Sequence, residues 1–378
     1  MLYFSKLRIF SVIIFTLILS YFSLSNFFKI DDNFFSKNIK LGLDLQGGSY
    51  LLLEIDNKPV ITQKLQNKVM ELKNFFKDKN IITRNYTVDD NSIIFDTTPD
   101  KSDELNNILD DDESEINPYY QQSKSHEFDF VKNQDSFKLT LSQYGLVQLK
   151  NASLDQAIEI VRRRVDEVGT NEPNILKRGN DRILVELPGL DDPGRIKSLL
   201  GKTANLTFQF ITQNTEESFG TEKLEFEDGS ENAIVSKRII LSGDNLVDAK
   251  PSMNSQTNET VVSFTLDRVG AKKFGKATST GVGKRLAIIL DGKIISAPSV
   301  REPIIGGSGQ ISGDFTFQSA TDLALLLRSG ALPAPLNIIE ERTVGPDLGQ
   351  DSIDAGIMSL IIGFILVVLF MILSLIHI

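Results

Sequence analysis

Residues 153–189 read SLDQAIEIVRRRVDEVGTNEPNILKRGNDRILVELPG, a helix pattern followed by strand-like runs. The helix carries its apolar side chains three and four residues apart, a spacing that places them on one face. These side chains are Leu154, Ala157, Ile158, Val161, Val165 and Val168. Ser153 and Gln156 form a capping box that predicts the start of the helix, and Gly169 predicts its end.

Strand-like runs lie on both sides of this helix. The runs are 49–56, 172–176, 182–187 and 206–211, and a second, shorter helix pattern covers 192–200. In chain order these segments give βαββαβ, the order of the ferredoxin-like unit. We therefore predict an α+β region with a ferredoxin-like βαββαβ base, built from residues 38–210 plus 314–345.

The segment 57–150 interrupts this unit directly after its first strand. It has an order of its own: helix 60–77, strands 81–87 and 92–97, helix 102–109 and strand 127–131. This αββαβ order repeats the order of the base without its first strand. The insertion is therefore predicted to be a second, diverged copy of the same unit.

A second module is predicted at 211–313. Its segments are a strand at 261–266, a basic helix at 271–276, and a hairpin of 285–290 and 293–297. Asp291-Gly292 joins the two strands of the hairpin, and this dipeptide is a strong hairpin signal. After it, a helix at 320–329 is predicted, capped by Ser319 and stopped by Gly330, and then a strand at 336–340. These last segments are expected to complete the base, which makes the second module a head inserted into it.

Two long stretches without charge lie near the ends of the chain, at 9–28 and 356–376. As helices, both match the roughly 30 Å hydrocarbon core of a bilayer, so we predict two transmembrane helices. Lys6 and Arg8 precede the first stretch, which predicts a cytoplasmic N-terminus at 1–8 and places 29–355 on the export side of the membrane, the periplasm if the resemblance given below holds. A retained anchor is favoured over a cleaved signal peptide, because no suitable small-residue cleavage site follows the apolar run.

The composition excludes several classes of function. Apart from Lys6 and Arg8, all charged residues, 38 basic and 50 acidic, lie between 29 and 355, an acidic excess that argues against nucleic-acid binding. The absence of cysteine excludes disulfides, zinc–thiolate sites and iron–sulfur clusters. The only histidines are His126 and His377. We therefore predict no cofactor and no metal site.

The short motifs do not indicate an enzyme. Gly201-Lys202-Thr203 resembles the end of a phosphate-binding loop, but Ile196 stands where that loop needs glycine. The arginines at 162–164 are interpreted as the solvated face of an amphipathic helix rather than as an anion site. His126 lies in a polar stretch without a nucleophile motif. No catalytic residue is predicted.

Several blocks of residues, spaced along nearly the whole chain, carry a resemblance. The blocks are LGLDLQGG at 41–48, RRVD at 163–166, VELPG at 185–189, RLAI at 285–288, LRSGALPAPL at 327–336 and ERTVGPDLGQD at 341–351. In this order they resemble the SecD family, part of the SecD/SecF group of the RND superfamily. The motif residues beside the membrane are Asp44, Gln46, Gly47, Gly48, Arg342, Gly345, Pro346 and Gly349. Those in the base and head are Arg164, Gly169, Pro173, Pro188, Gly189, Asp291, Gly292, Arg328, Gly330 and Pro333.

The resemblance implies an inner-membrane subunit of the bacterial Sec protein translocase that assists late steps of protein export. The partners it implies are SecF, the SecYEG translocon with SecA on its cytoplasmic side, unfolded preproteins and membrane lipid. The implied energy source is the proton motive force, with no ATP site in the subunit. The head is expected to bind the unfolded chain and to swing relative to the base.

Proton coupling by these residues alone is not expected. Members of the family have six transmembrane helices and a proton-handling aspartate in a later one. Neither 9–28 nor 356–376 contains an acidic or basic side chain, so the proton-coupling helices are expected to lie outside this chain. Two alternatives to the translocase subunit stay open, a membrane-tethered periplasmic holdase and a drug-efflux relative of the RND superfamily.

Overall fold

The computed structural model of the chain describes residues 6–27, 47–134, 136–169, 173–190, 193–212, 217–218, 220–229, 231–254 and 258–376. Of the predicted motif residues, Asp44 and Gln46 lie outside these ranges. The chain divides into two compact units, one made of residues 1–47 with 344–378 and one made of residues 48–343.

The helices of the described residues are α1 (Lys6–Phe27), α2 (Lys58–Asp78), α3 (Ser102–Asp110), α4 (Gln143–Val168), α5 (Gly194–Leu200), α6 (Arg268–Thr280), α7 (Phe317–Ser329) and α8 (Pro346–Ile376). The strands that precede α5 in the described residues are β1 (Gly48–Ile55), β2 (Thr83–Asp89), β3 (Ser92–Thr97), β4 (Tyr119–Tyr120), β5 (Ser125–His126), β6 (Phe128–Asn133), β7 (Ser136–Leu141), β8 (Asn174–Arg178) and β9 (Arg182–Pro188). The later strands are β10 (Leu206–Phe210), β11 (Thr221–Glu225), β12 (Asn232–Ser236), β13 (Leu241–Ser242), β14 (Leu246–Met253), β15 (Thr260–Leu266), β16 (Leu286–Leu290), β17 (Lys293–Ser296), β18 (Ser308–Ile311) and β19 (Leu336–Val344).

The first unit contains α1 and α8. Within the described residues, one helical segment, Asp351–Ser374 of α8, is long and apolar enough to cross a membrane. Its side chains are exposed on all sides, as Phe364 at 68% and Phe370 at 73% illustrate, so an apolar surrounding suits it. Helix α1 covers nearly all of the predicted first span, and its crossing of a membrane stays a prediction.

The base is a four-stranded sheet in the order β19-β1-β9-β8, packed against α4 and α5. Strands β1 and β9 pair antiparallel, with Gly48 opposite Pro188 and Leu51 opposite Val185. The predicted apolar stripe of α4 packs on this sheet, and Gly169 ends the helix with φ of 82°. The prediction of a helix packed on the strand-like runs 49–56, 172–176 and 182–187 is therefore confirmed, with the strands observed at 48–55, 174–178 and 182–188.

The predicted last strand of the base was wrong. Strand β10, at 206–210, pairs with β16 in a different sheet, and β19 lies beside β1 instead. The apolar pattern explains the choice, because β10 is buried on both faces, as a central strand must be, whereas β19 is mostly exposed, as an edge strand can be. Residues 206–210 of the predicted base thus belong to the head sheet.

Helix α4 begins eleven residues before the predicted start. Ser142 is its cap, with its hydroxyl accepting a hydrogen bond from the Gly145 amide at 3.0 Å, and Ser153 lies buried inside the helix. The capping box at Ser153 was therefore wrong. The first turns of α4 place Leu146 and Leu149 against the core of the insertion, so one continuous helix packs on two cores.

The insertion forms its own sheet in the order β6-β7-β3-β2, with each neighbouring pair antiparallel. Leucine, isoleucine and phenylalanine side chains fill its core, where the Phe95 ring stacks on Phe137 at 5.9 Å between centroids. The predicted αββαβ order missed one strand, β7. The missed strand pairs with both β3 and β6, so it lies inside the insertion sheet.

The base and the insertion are related by strand order. In the base sheet, the strand second from the edge is β1, which leads in the chain into α2 on the other core. In the insertion sheet, the corresponding strand is β7, which leads into α4, whose later turns pack on the base. The base sheet therefore contains β1, which precedes the long helix α2 of the insertion. The insertion sheet contains β7, which precedes the long helix α4 of the base.

The head is the name used here for residues 206–329. It contains the sheet β13-β10-β16-β17, the sheet β14-β15-β18 and the hairpin β11-β12. The rings of Phe208, Phe264 and Phe274 meet in its core, with centroids 5.7 to 6.4 Å apart. The hairpin at Asp291-Gly292 is confirmed, with φ of 50° and 81° at the two turn residues.

Helix α7 packs in the core of the head, although the sequence analysis assigned 314–345 to the base. Four of its apolar side chains enter that core: Ala320, Leu323, Ala324 and Leu327. Its cap is Thr316, whose hydroxyl accepts from the Ser319 amide at 3.1 Å, so Ser319 as the cap was wrong. Gly330 follows the helix with φ of 94°, as predicted. The chain returns to the base only after α7.

Candidate functional site

The chain crosses between base and head twice, through residues 201–205 and 330–335. We call these two crossing segments, with the side chains that bind them, the junction. The first crossing segment joins α5 to β10, and the second joins α7 to β19. The Leu332 amide donates to the Thr203 carbonyl at 2.8 Å, so the two segments are bonded to each other.

Arg164 is the centre of the junction. It projects from α4, is 1% exposed, and donates to four backbone carbonyls. Nη1 reaches the Leu199 carbonyl at 2.7 Å and also that of Lys202, while Nη2 reaches those of Thr203 at 3.2 Å and Gly330 at 3.1 Å. A single side chain of the base thus holds both crossing segments.

The charge of Arg164 is kept despite its burial. Desolvation lowers the pKa of its guanidinium to about 10, and the Asp291 carboxylate acts in the opposite direction. At neutral pH the group is therefore protonated. The Leu199 carbonyl belongs to the last turn of α5, where the partial negative charge of a helix end favours a cation.

The interpretation of residues 162–164 as a solvated face is correct for two of the three arginines. Arg162 and Arg163 are exposed, whereas Arg164 is among the most buried large side chains. The spacing in the sequence indicates the burial of Arg164, because this residue lies three residues after Val161 and seven after Ala157, on the apolar stripe. A charged residue on such a stripe needs buried partners.

Asp291 binds the first crossing segment from the side of the head. Its carboxylate accepts from the Thr203 hydroxyl and from the amides of Ala204 at 3.0 Å and Asn205 at 2.8 Å. The Asp291 amide donates back to the Asn205 carbonyl at 3.0 Å. These bonds hold Ala204 at φ of 59°, a left-handed conformation that costs a non-glycine residue about 1–2 kcal/mol.

Helix α7 is also tied to the base around Arg164. Arg328 pairs with Glu167 of α4, and Arg195 of α5 pairs with Asp322 at 2.8 Å. A small apolar cluster lies between these pairs, formed by Leu199, Ala204, Leu325 and Leu326. The junction therefore combines an apolar contact, two partly exposed ion pairs and one buried cation.

The structure brings four of the predicted motif residues together at the junction: Arg164, Asp291, Arg328 and Gly330. Gly292 completes the turn beside Asp291, Pro333 lies in the second crossing segment, and Gly169 ends α4. The remaining base motif lies elsewhere, with Pro188 and Gly189 at the end of β9 and Pro173 before β8.

The described motif residues predicted beside the membrane lie at the start of β1, in and after β19, and in the first turn of α8. Gly48 begins β1 and pairs with Pro188. Arg342, on β19, lies with its guanidinium 5.9 Å from the centre of the Tyr50 ring and bonds Glu340 at 2.7 Å. Pro346 is the first residue of α8, Gly345 precedes it, and Gly349 lies in the first turn. Gly47 precedes β1 with φ of 69°.

The head carries an open groove of about 1070 Å³ that the sequence did not reveal. We call it the basic groove, because five cationic and no acidic side chains line it: Arg238, Lys273, Lys276, Lys284 and Arg285. Phe210, Ile239 and Ile240 supply apolar surface between the charges. The lining comes from the end of β10 and the two residues after it, from the segment between β12 and β13, from α6 and from the residues just before β16. Only the tertiary structure brings these four segments together.

Known proteins resemble this chain along most of its length. The family model of the SecDF P1 head subdomain matches residues 221–334, and that of the N-terminal part of the P1 domain of protein translocase subunit SecDF matches 154–213. The first of these matches includes α7, in agreement with the packing of that helix in the head.

Individual relatives extend the similarity to the rest of the chain. Protein translocase subunit SecD of Rickettsia bellii (strain RML369-C) is 41% identical over 378 residues, covering 98% of this chain and 71% of the relative. The subunit of the same name from Rickettsia conorii (strain ATCC VR-613 / Malish 7) is 39% identical, with the same coverage. A crystal structure of SecDF in the super-membrane-facing form matches with a TM-score of 0.51 and 26% identity, covering 95% of this chain and 38% of that one. The chain therefore belongs to the SecD family of protein translocase subunits.

Proposed function

We propose that this chain assists late steps of Sec-dependent protein export by holding the unfolded preprotein in the basic groove of its head. As a member of the SecD family it is a non-catalytic membrane component of protein translocation. The observation that carries the proposal is the groove itself, a large open surface that mixes exposed cations with apolar side chains. Such a surface suits an extended chain, because it is open to solvent and offers charged and apolar contacts side by side.

The proposed location is the cell inner membrane. The N-terminus is proposed to be cytoplasmic, with residues 29–355 in the periplasm and α1 and α8 as the two membrane helices of this chain. Lys6 and Arg8 before α1 support this orientation, and the apolar character of α8 supports the second crossing. In this arrangement the head is on the side where the preprotein emerges.

For the architecture we propose a ferredoxin-like base with a diverged copy of it as the insertion. The sheet orders β19-β1-β9-β8 and β6-β7-β3-β2 support this, because both follow the order of fourth, first, third and second strand expected of βαββαβ units. The two copies then differ from separate units only in having exchanged their first strands. The proposed head spans 206–329 and is inserted between α5 and β19.

The proposed motion is a swing of the head about the junction. Two crossing segments, 201–205 and 330–335, join the head to the base, so a rotation has to change the conformation of these residues or their contacts. SecF and the SecYEG translocon, with SecA on the cytoplasmic side, are the proposed partners, and the proton motive force is the proposed energy source. Membership of the SecD family supports this part of the proposal.

Site-specific crosslinking during export tests the function. A photoreactive amino acid is placed at Ile239, which is 53% exposed in the basic groove, and at Val131 of the insertion, 57% exposed, as the matched control. In membranes that translocate a stalled preprotein, we expect adducts to the preprotein from Ile239 and few from Val131. Equal adducts from both positions, or none from Ile239, would contradict the proposal.

Crosslinks near the membrane distinguish the translocase subunit from a free holdase. A photoreactive residue at Arg342 is expected to give adducts with SecF or SecYEG in the same membranes. Preprotein adducts at Ile239 without any translocon adducts would instead favour a tethered holdase that works apart from the channel.

A further inference from the structure

We infer that the basic groove selects acidic segments of the unfolded chain, those that carry Asp or Glu beside apolar residues. This inference rests on the proposed function and adds a substrate preference to it. The cations of the groove are Lys273 and Lys276 on α6, Lys284 and Arg285 just before β16, and Arg238 on the opposite wall. All five are exposed.

None of these cations forms a salt bridge with an acidic side chain of the described residues, although the charge of Lys273 contributes to the lowered pKa of Asp267 at the start of α6. Each of the ion pairs in the described residues involves other side chains. The Nζ atom of Lys284 lies 5.7 Å from the centre of the Phe210 ring. Nε of Arg285 donates a hydrogen bond to the Ala297 carbonyl at 3.2 Å. Within the described residues, no side chain accepts a hydrogen bond from either cation. The groove therefore holds an excess of positive charge, which Asp267 offsets only beside Lys273.

The positive charge of the groove differs in sign from the net charge of the region around it. Residues 29–355 have an acidic excess, yet the lining of this groove has five bases and no acid. A concave surface with one sign of charge raises the local concentration of ligands of the opposite sign and speeds their capture. A negatively charged segment is therefore favoured over a neutral or basic one.

The apolar side chains indicate a polypeptide rather than a small anion. Phe210 and Ile240 are half-buried, and Ile239 is 53% exposed, so a ligand that covers them removes apolar surface from water. A phosphate or a free carboxylate gains nothing from that surface. An extended peptide places successive side chains about 3.3 Å apart along its axis, so it contacts cations and apolar groups in turn.

The position of Phe210 is set by a neighbouring glycine. A Cβ atom added to Gly281 would lie 2.2 Å from Cζ of the Phe210 ring, so only glycine leaves room for the ring in this place. Phe210 in turn lies under Lys284. The apolar and the cationic parts of the groove are thus built as one surface.

Peptide binding to the full chain in nanodiscs tests the inference. The probes are two fluorescent, unstructured peptides of identical apolar sequence, one with four Glu and one with four Gln at the same positions. We expect the Glu peptide to bind about five- to tenfold more tightly at low salt, since each exposed ion pair contributes modestly. The difference should shrink in 0.5 M salt, where charges are screened within a few ångströms.

Two double variants connect the preference to the groove. K273Q/K276Q removes two groove charges on the surface of α6 and is expected to bring the Glu peptide to within about twofold of the Gln peptide. K58Q/K138Q removes two exposed lysines of α2 and β7, away from the groove, and is expected to leave the preference unchanged. A preference that survives K273Q/K276Q would place its origin elsewhere and overturn the inference.

The other outcomes separate this inference from the proposed function. Equal binding of both peptides would overturn the acidic preference and leave the holding function standing. Failure of both peptides to bind, together with absent preprotein adducts at Ile239, would overturn the holding function itself. Binding to anionic lipid vesicles that is lost in K273Q/K276Q, with no effect on the peptides, would show that the groove is a lipid site and overturn the inference.

Discussion

Arg164 and Asp291 bind the same residue, Thr203, from opposite sides of the junction. The Arg164 guanidinium, from the base, donates to the Thr203 carbonyl at 3.2 Å, and the Asp291 carboxylate, from the head, accepts from the Thr203 hydroxyl. A cation of the base and an anion of the head thus bind one residue of the first crossing segment. Any swing of the head has to keep this arrangement as its pivot or break it.

Removal of the buried cation should destabilise the chain more than removal of its neighbour. In R164M four carbonyls lose a charged donor, for an expected loss of about 3 kcal/mol in the free energy of unfolding. The melting temperature of the purified chain in detergent, followed by circular dichroism, should fall by several degrees. R163M is the matched control, because Arg163 is exposed on the same helix, and it should stay within about 0.5 kcal/mol of the unchanged chain. Equal melting of the two variants would contradict the role of Arg164.

Asp291 should show its coupling to Arg164 in a double-mutant cycle. D291N leaves the amides of Ala204 and Asn205 with a weaker acceptor, for an expected loss of about 2 kcal/mol. R164M/D291N should lose at least about 0.5 kcal/mol less than the two single variants together, because both act on the first crossing segment. D314N changes an exposed acid of the head and should cost little. Strict additivity would argue that the two residues hold the segment independently.

Asp267 should make the stability of the head depend on acid. Its carboxylate caps α6 by accepting from the Gly270 amide, and this hydrogen bond lowers the pKa of the group below its ordinary value of 3.8. Since the pKa is lower in the folded state, the stabilisation is present above the unfolded pKa and is lost as the pH falls through the folded one. D267N keeps a capping oxygen without the titration.

Melting curves at pH 7 and pH 3 measure this effect. Acidification from pH 7 to pH 3 should lower the melting temperature of the unchanged chain by more than that of D267N. D314N provides the control, because Asp314 is an exposed carboxylate without such a cap, and its acid response should match that of the unchanged chain. An identical acid response of D267N would show that the cap contributes nothing through its charge.

Gly281 should be intolerant of a methyl group. G281A forces the Phe210 ring to move, at an expected cost of about 1–3 kcal/mol, and distorts the basic groove. G306A is the matched control, because a Cβ atom at Gly306 would meet no atom within 4 Å and its backbone does not require glycine. The double variant G281A/F210A should melt closer to F210A than additivity predicts, since the clash is then gone. Melting of G281A at the temperature of G306A would contradict the crowding.

Local patterns predicted much of the fold correctly. The stripe from Leu154 to Val168, the turn at Asp291-Gly292 and the apolar run of α8 each follow from a few neighbouring residues. Helical periodicity and turn chemistry act over less than one element, so they can be seen in the sequence alone. The start of α4 was predicted wrongly, because Ser153 has the spacing to Gln156 that is typical of a helix cap. The packing of Leu146 and Leu149 on the core of the insertion extends the helix beyond that point.

Tertiary structure alone decided the partners of the strands and the surroundings of the site. Strand β10 belongs to the head sheet, where it is buried on both faces. The mostly exposed β19 lies at the edge of the base sheet, beside β1. The burial of Arg164 depends on carbonyls 35 to 166 residues away in the chain. The basic groove likewise joins four separate segments. Such contacts depend on long-range pairing of chain segments, and the free energy that selects them is that of the whole packed core, which no local pattern contains.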